Sequence, residues 1–156
     1  MREDNALLFV GAYEHTIDAK QRLAIPADVR QQLEAAGQRV LYCVLIEGPT
    51  LAIYTEAGFQ KRADELDNSE RPAEEILLYE QMFYSNAARV ELDAQGRVRI
   101  PERLLQMAGL EKDAVLIGVK DHLEVHDRDS WNRRTQELLA KRPDLLMNPR
   151  RAMRKV

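Results

Sequence analysis

Cys43 is the single cysteine among 156 residues, so no internal disulfide can staple the chain. Its place inside the apolar run VLYCVLI reads as a small buried side chain rather than a reactive thiol. Long apolar runs are lacking too. The N-terminal stretch from Ala6 to Ala12 is too short to span a bilayer, and it follows Glu3 and Asp4 rather than the basic segment that opens a secretory signal. A cytoplasmic protein with no membrane attachment is expected. Glycine is sparse, at 7 residues, and none of it forms a glycine-rich phosphate loop or a nucleophile elbow. Of the three histidines, His122 and His126 have the spacing of helical metal ligands, but they fall in a strand-like segment, where that spacing separates them by roughly 13 Å. No catalytic residue, metal, cofactor or small-molecule substrate is expected. A surplus of positive charge is also missing: the formal net charge of −3 argues against a uniformly basic nucleic-acid binder.

What is present is enough apolar material, 45% of residues, to bury a core, and charge that segregates along the chain. Asp64, Glu65, Asp67, Glu70, Glu74 and Glu75 lie in one acidic stretch. Lys141, Arg142, Arg150, Arg151, Arg154 and Lys155 make the tail basic.

The chain also repeats itself. DAKQRLAIP, residues 18–26, returns as DAQGRVRIP, residues 93–101, with acid, arginine and proline at the same offsets. Each copy opens with a short strand (His15 to Ile17; Arg89 to Leu92), a polar turn and a second alternating strand (Arg22 to Ile25; Arg97 to Ile100). A proline suited to the first helical position follows, then a helix that stops at Gly37 or Gly109, then two more strands. The first copy carries roughly one extra helical turn between proline and glycine. Phe59 and Trp131 fall at matching positions, as aromatic anchors of a helix on its sheet. Asp129 or Ser130 is the expected N-cap of the helix that carries Trp131. A unit of about 45 residues can hardly bury its own strands, so the two copies are expected to pack together. The divisions are residues 9–60 for the first half, 61–86 for an acidic linker and helix, 87–132 for the second half, and 133–156 for a C-terminal helix and basic tail.

An aspartate four residues before an arginine can hold a turn through two parallel hydrogen bonds and need do nothing else. Two features point further. Leu23 and Ile25, or Val98 and Ile100, claim the core face of the second strand, which leaves Arg22, Arg97 and Arg99 on the outer face. Lys20 adds a cation to the first turn. Paired outward arginines on a two-fold-related scaffold suit a two-fold-related partner, and duplex DNA is the commonest.

At this point the chain resembles the MraZ family of bacterial transcriptional regulators. The tandem motifs (Asp18 with Arg22, Asp93 with Arg97), the lead-in YEHTIDAK, the AGL and VLIGV of the second copy, and Trp131 carry the likeness. The resemblance implies an α+β, β-rich fold: tandem AbrB-like halves forming a pseudo-two-fold swapped-hairpin β-barrel with flanking helices. It further implies assembly into homo-oligomeric rings and binding to repeated DNA boxes upstream of a division and cell-wall gene cluster, on the nucleoid. Its DNA-contacting arginine falls on Arg22 and Arg97, with Lys20 as a phosphate contact. Arg99 is a candidate only through sharing Arg97's face. Asp18, Asp93 and Gly96 shape the loops. Where the family has glycine before the motif arginine, as at Gly96, the first copy has Gln21; a positive φ there costs glutamine about 1 kcal/mol. The rival reading is an oligomeric interaction module whose arginines bind acidic protein surface without specific DNA binding.

Overall fold

The computed structural model describes residues 7–68 and 70–147; most of the basic tail, including Arg150, Arg151, Arg154 and Lys155, lies outside them, as do the opening residues. The fold is α+β. The first copy supplies β1 (Ala12–Thr16), β2 (Arg22–Ala24), α1 (Ala27–Ala35), β3 (Val40–Ile46), β4 (Thr50–Thr55) and α2 (Glu56–Asp67). After α3 (Ala73–Ser85), the second supplies β5 (Ala87–Glu91), β6 (Arg97–Arg99), α4 (Glu102–Met107), β7 (Asp113–Gly118), β8 (His122–Asp127) and α5 (Arg128–Lys141), followed by the short α6 (Asp144–Met147).

The copies exchange strands. β1 pairs with β7 and β5 pairs with β3, so each copy's first strand lies beside the other copy's third. β2 pairs with β6, and β4 with β8, again across copies. Among the described residues only β3 with β4 and β7 with β8 are ladders within one copy. All are antiparallel. The result is an open six-stranded sheet, in the order β1-β7-β8-β4-β3-β5, beside the separate β2-β6 ribbon. No closed barrel forms among the described residues. The ribbon strands have three residues each and ladder only with one another, so they do not join the sheet's edge strands β1 and β5.

The core lies where the exchange brings both copies together. Leu23, Ile25 and Leu33 of the first copy and Val98, Ile100 and Leu104 of the second are almost fully buried in one cluster. Each such side chain contributes about 2 kcal/mol of transfer free energy. Cys43 is fully buried there, and burial pushes its thiol up to about 12.

The prolines stand one place earlier than the sequence pattern suggests. Pro26 and Pro101 are N-caps, with extended ψ values of 145° and 135°, rather than first helical residues, and Pro72 caps α3 in the same way with ψ 144°. Neither position needs a proline N–H, which is why the pattern does not separate them. The cap of α5 is Asp127, whose carboxylate accepts from Ser130 N at 3.0 Å, and not Asp129 or Ser130. β8 runs directly into the helix, so its last residue becomes the cap. Much of the acidic stretch is helical, in α2. Phe59 of that helix stacks on Tyr42 at 4.7 Å and meets Phe83 of α3 at 5.7 Å, while Trp131 of α5 lies 4.8 Å from the His126 ring. On its other side α3 leaves Leu77, Leu78 and Met82 exposed, at 55%, 62% and 61%.

Candidate nucleic-acid interface

Both hairpin turns are built the same way. In the first, Asp18 C=O accepts from Gln21 N at 3.0 Å and Asp18 N donates to Arg22 O at 3.1 Å. Asp18 Oδ1 accepts from the backbone N of Lys20 (2.9 Å) and of Arg22 (2.8 Å), and Oδ2 accepts from Arg22 Nε at 2.7 Å. The second turn repeats each bond: Gly96 N to Asp93 O at 3.0 Å, Asp93 N to Arg97 O at 2.8 Å, Oδ1 to Gln95 N (2.8 Å) and Arg97 N (2.9 Å), and Oδ2 to Arg97 Nε at 3.0 Å. One carboxylate thus satisfies two backbone donors and fixes one guanidinium. The Nε edge of each arginine is used; Arg97 Nη1 also lies 4.0 Å from Asp18 Oδ2, and the other Nη nitrogens have donors to offer a partner.

Both aspartates are held below the usual carboxylate range. The hydrogen bond from the backbone N of the motif arginine is the largest cause, and it outweighs the opposing effect of desolvation. They are ionised at neutral pH, as a guanidinium clamp requires.

The ribbon then sets the arginines side by side. In the β2–β6 register Arg22 faces Arg99, Leu23 faces Val98, and Ala24 faces Arg97. Leu23 and Val98 are buried at 0% and 1%, so the residues flanking them share the opposite face. That face carries Arg22, Arg97 and Arg99, with Lys20 exposed in the adjoining turn. Four cations meet two carboxylates here, in a chain whose formal total is −3. Two bonds across the copies, Ile25 N to Gly96 O at 3.0 Å and Ile100 N to Gln21 O at 2.9 Å, tie each turn to the strand beyond its partner.

Gln21 and Gly96 occupy matching backbone conformations, with φ of 60° and 76°. The first turn therefore has the same left-handed geometry as the second despite its glutamine. Gly96 is further constrained because a Cβ there would overlap the side chain of Arg30, at Cδ. Arg30 comes from α1, nine residues long against six for α4, and anchors its Nε on Ile25 O at 3.0 Å. Sequence reading missed Arg30. The extra turn in the first copy was the available hint, but nothing local indicates where that turn points.

The histidines take no part in this face. His122 and His126 bracket Glu124, which accepts from their Nε2 atoms at 3.3 Å and 2.9 Å, and Asp121 accepts from His122 Nδ1 at 2.9 Å. Among the described residues no group of three or more histidine, cysteine, aspartate or glutamate side chains is arranged to hold a metal ion, and no helix is long and apolar enough to cross a membrane.

Comparison with known proteins matches the chain to one family model and to relatives of the same name. The family model described as "MraZ protein, putative antitoxin-like" matches residues 8–79 and 83–148. A protein of Lactiplantibacillus plantarum named Transcriptional regulator MraZ is 36% identical over 143 residues, an overlap spanning 90% of this chain and 97% of that protein.

Proposed function

This chain belongs to the MraZ family, and from that premise we propose that it is a sequence-specific DNA-binding transcriptional regulator whose β2–β6 ribbon docks on duplex DNA. The observation that carries the reading is the alignment of Arg22, Arg97 and Arg99 on one face, two of them clamped by aspartates. A two-stranded ribbon fits the major groove, and a guanidinium there reads guanine edges with about 1–3 kcal/mol per good bidentate contact. Clamping the Nε edge removes rotamer freedom before binding, so less is lost on contact. Lys20 neutralises phosphate beside the first turn.

One subunit of an acidic chain binds weakly by this means. The exposed α3 face of Leu77, Leu78 and Met82 supports burial against another copy, as in a homo-oligomeric ring. Ribbons linked in this way gain avidity of roughly 10² to 10⁴ on repeated boxes. We place those boxes upstream of the protein's own division and cell-wall gene cluster, where occupancy blocks or redirects polymerase. The tandem halves 9–60 and 87–132 act as one pseudo-two-fold unit, swapping hairpins to complete their strands. The protein works in the cytoplasm on the nucleoid, without catalysis or cofactor.

The test is binding of the purified chain to its own upstream DNA and to scrambled DNA of equal length, at several salt concentrations. Tight, sequence-dependent binding with a steep salt slope is expected. Equal weak binding to both DNAs by a folded oligomer rejects the reading and puts the interaction module in its place.

A further inference from the structure

The two turns of the ribbon are not equally charged by their own residues. The first carries Lys20, and the second has Gln95 at the matching place. Cations from the neighbouring strands do not make up the difference. Leu92 N donates to Arg39 O at 2.9 Å and Ile17 N to Lys112 O at 2.8 Å, so the lead-in to each turn is bonded to a basic residue of the other copy, and these two cations match.

Arg30 breaks the match. Its backbone N donates to Pro26 O at 2.9 Å, as Leu105 N does to Pro101 O at 3.2 Å, so the two residues hold equivalent places in α1 and α4. Leu105 is buried and apolar. Arg30 is half-buried, and its side chain crosses Gly96 of the second turn, where a Cβ would overlap its Cδ and lie 3.0 Å from its Nη1. With a Cα–Cβ bond of about 1.5 Å and about 3.8 Å between successive Cα atoms, that nitrogen stands within about 8 Å of the Gln95 Cα. The charge missing at Gln95 is therefore restored close by. Nε of Arg30 is fixed on Ile25 O at 3.0 Å, and its Nη nitrogens make no other hydrogen bond or ion pair among the described residues, Glu34 one turn along α1 included.

We infer that Arg30 is the phosphate contact of the second hairpin, supplied by the other copy's helix in place of the lysine that the turn lacks; this rests on the reading of the ribbon as a DNA-docking element. Phosphate is the ligand, and not a base edge, because of where Arg30 comes from. α1 buries Val29 and Leu33 in the same core cluster as Leu23 and Val98, behind the ribbon, so its arginine reaches the flank of the second turn and not the face that carries Arg97 and Arg99. A cation at the flank meets the backbone that borders the groove.

The experiment is fluorescence anisotropy of the full chain with its upstream DNA and with scrambled DNA of equal length, over a range of salt concentrations, each variant being checked for folding by its melting curve. Arg30→Gln should weaken binding to both DNAs by a similar factor, about three- to tenfold, and lower the salt slope by roughly one unit. Arg30→Lys should stay within about twofold of the parent. Adding Gln95→Lys to Arg30→Gln should bring affinity and slope back near the parent's, which a lysine in another segment could not do if Arg30 only packed the core. Arg30→Met keeps an aliphatic stem over Gly96 and gives the same readings should the glutamine variant not fold. A folded Arg30 variant with the parent's salt slope, a loss confined to the upstream DNA, or a double variant no better than Arg30→Gln overturns the inference. Specific binding by the parent with any of these results removes the role of Arg30 alone, whereas equal weak binding of both DNAs by the parent removes the ribbon reading and this inference with it.

Discussion

The guanidinium of Arg97 stands 4.0 Å from the carboxylate of Asp18, an acid that belongs to the other copy. Asp18 therefore adjoins both motif arginines, being 2.7 Å from Arg22, while the ion pair of Asp93 at 3.0 Å is with Arg97. Both acids make the same backbone bonds, which asparagine preserves through its carbonyl oxygen. Asp18→Asn should thus weaken DNA binding about five- to tenfold and Asp93→Asn about two- to threefold, the scale of partly exposed ion pairs. Fluorescence anisotropy with upstream DNA checks the order, and a larger loss for Asp93→Asn would contradict the shared role of Asp18.

Removing an arginine itself should cost more. Arg22→Ala and Arg97→Ala are each expected to lower affinity for specific DNA by about 10- to 100-fold, as losing a base contact does. Their melting temperatures should stay near that of the parent, since the clamping pairs are partly exposed and contribute little. Lys20→Ala should instead weaken specific and scrambled DNA alike and reduce the salt slope by roughly one unit. Loss of folding in the arginine variants would show that the pairs are structural staples.

Gln21 holds a left-handed backbone at φ 60° that glycine adopts freely. Gln21→Gly is expected to stabilise the chain by about 1 kcal/mol, a rise of roughly 2–4 °C in Tm. Gly96→Ala should do the reverse and by more, because its methyl meets Arg30 as well as the unfavourable φ. Calorimetry of the two variants decides the matter: a Gln21→Gly chain no more stable than the parent would remove strain as the difference between the turns.

The cluster on β8 gives the stability a pH window. Hydrogen bonds from His122 and then His126 bring the Glu124 carboxyl down to about 2. Burial alone would lower the pKa of His122, but acceptors on both ring nitrogens, Glu124 and Asp121, raise it above the ordinary value. The Glu124 contribution is present above the ordinary carboxylate range and is lost as pH falls toward 2; the His122 contribution is complete below about pH 6.5 and is lost as pH rises through its folded value. Asp18 and Asp93, also held low, steepen the acid side. Tm should therefore decline above neutrality in the parent and stay flatter in His122→Gln. Parallel curves for the two proteins would assign the alkaline decline elsewhere.

The apolar face of α3 predicts the assembly. Leu78→Glu and Met82→Glu place charge at side chains exposed to 62% and 61% and leave the buried Phe83 in place, so each subunit should keep its fold. Both should shift sedimentation toward smaller species and lower affinity for repeated boxes by about 10² or more, with little change on a single box. An unchanged sedimentation profile would put the subunit contact on another surface.

How much of this was legible follows the range of each interaction. The turns could be read because Asp18 and Arg22 are four residues apart and the repeat shows the pattern twice. The arginine face followed from the alternation of Leu23 and Ile25. Which strand pairs with which is not written in any one segment: β1 has no local mark that selects β7 over β3, and the choice is made by the joint burial of Leu23, Val98, Ile25 and Ile100. The barrel expected from the resemblance is not closed, because three-residue ribbon strands bond only to each other. The helical start at Asp127 was missed by two to three residues because strand and helix share that residue. Arg30 over Gly96 and Arg97 beside Asp18 are contacts between distant segments, which periodicity does not encode.

The strand exchange has an evolutionary meaning. Two half-length chains, each with four strands and two helices, could make the same ladders as a homodimer, but every mutation would then appear in both turns at once. Joining them in one gene breaks that bond. In this chain Lys20 stands against Gln95, Gln21 against Gly96, Ala24 against Arg99, and one helix has outgrown the other by three residues. Within one chain the two turns are free to differ, the first carrying the extra cation and the second the glycine over which Arg30 packs.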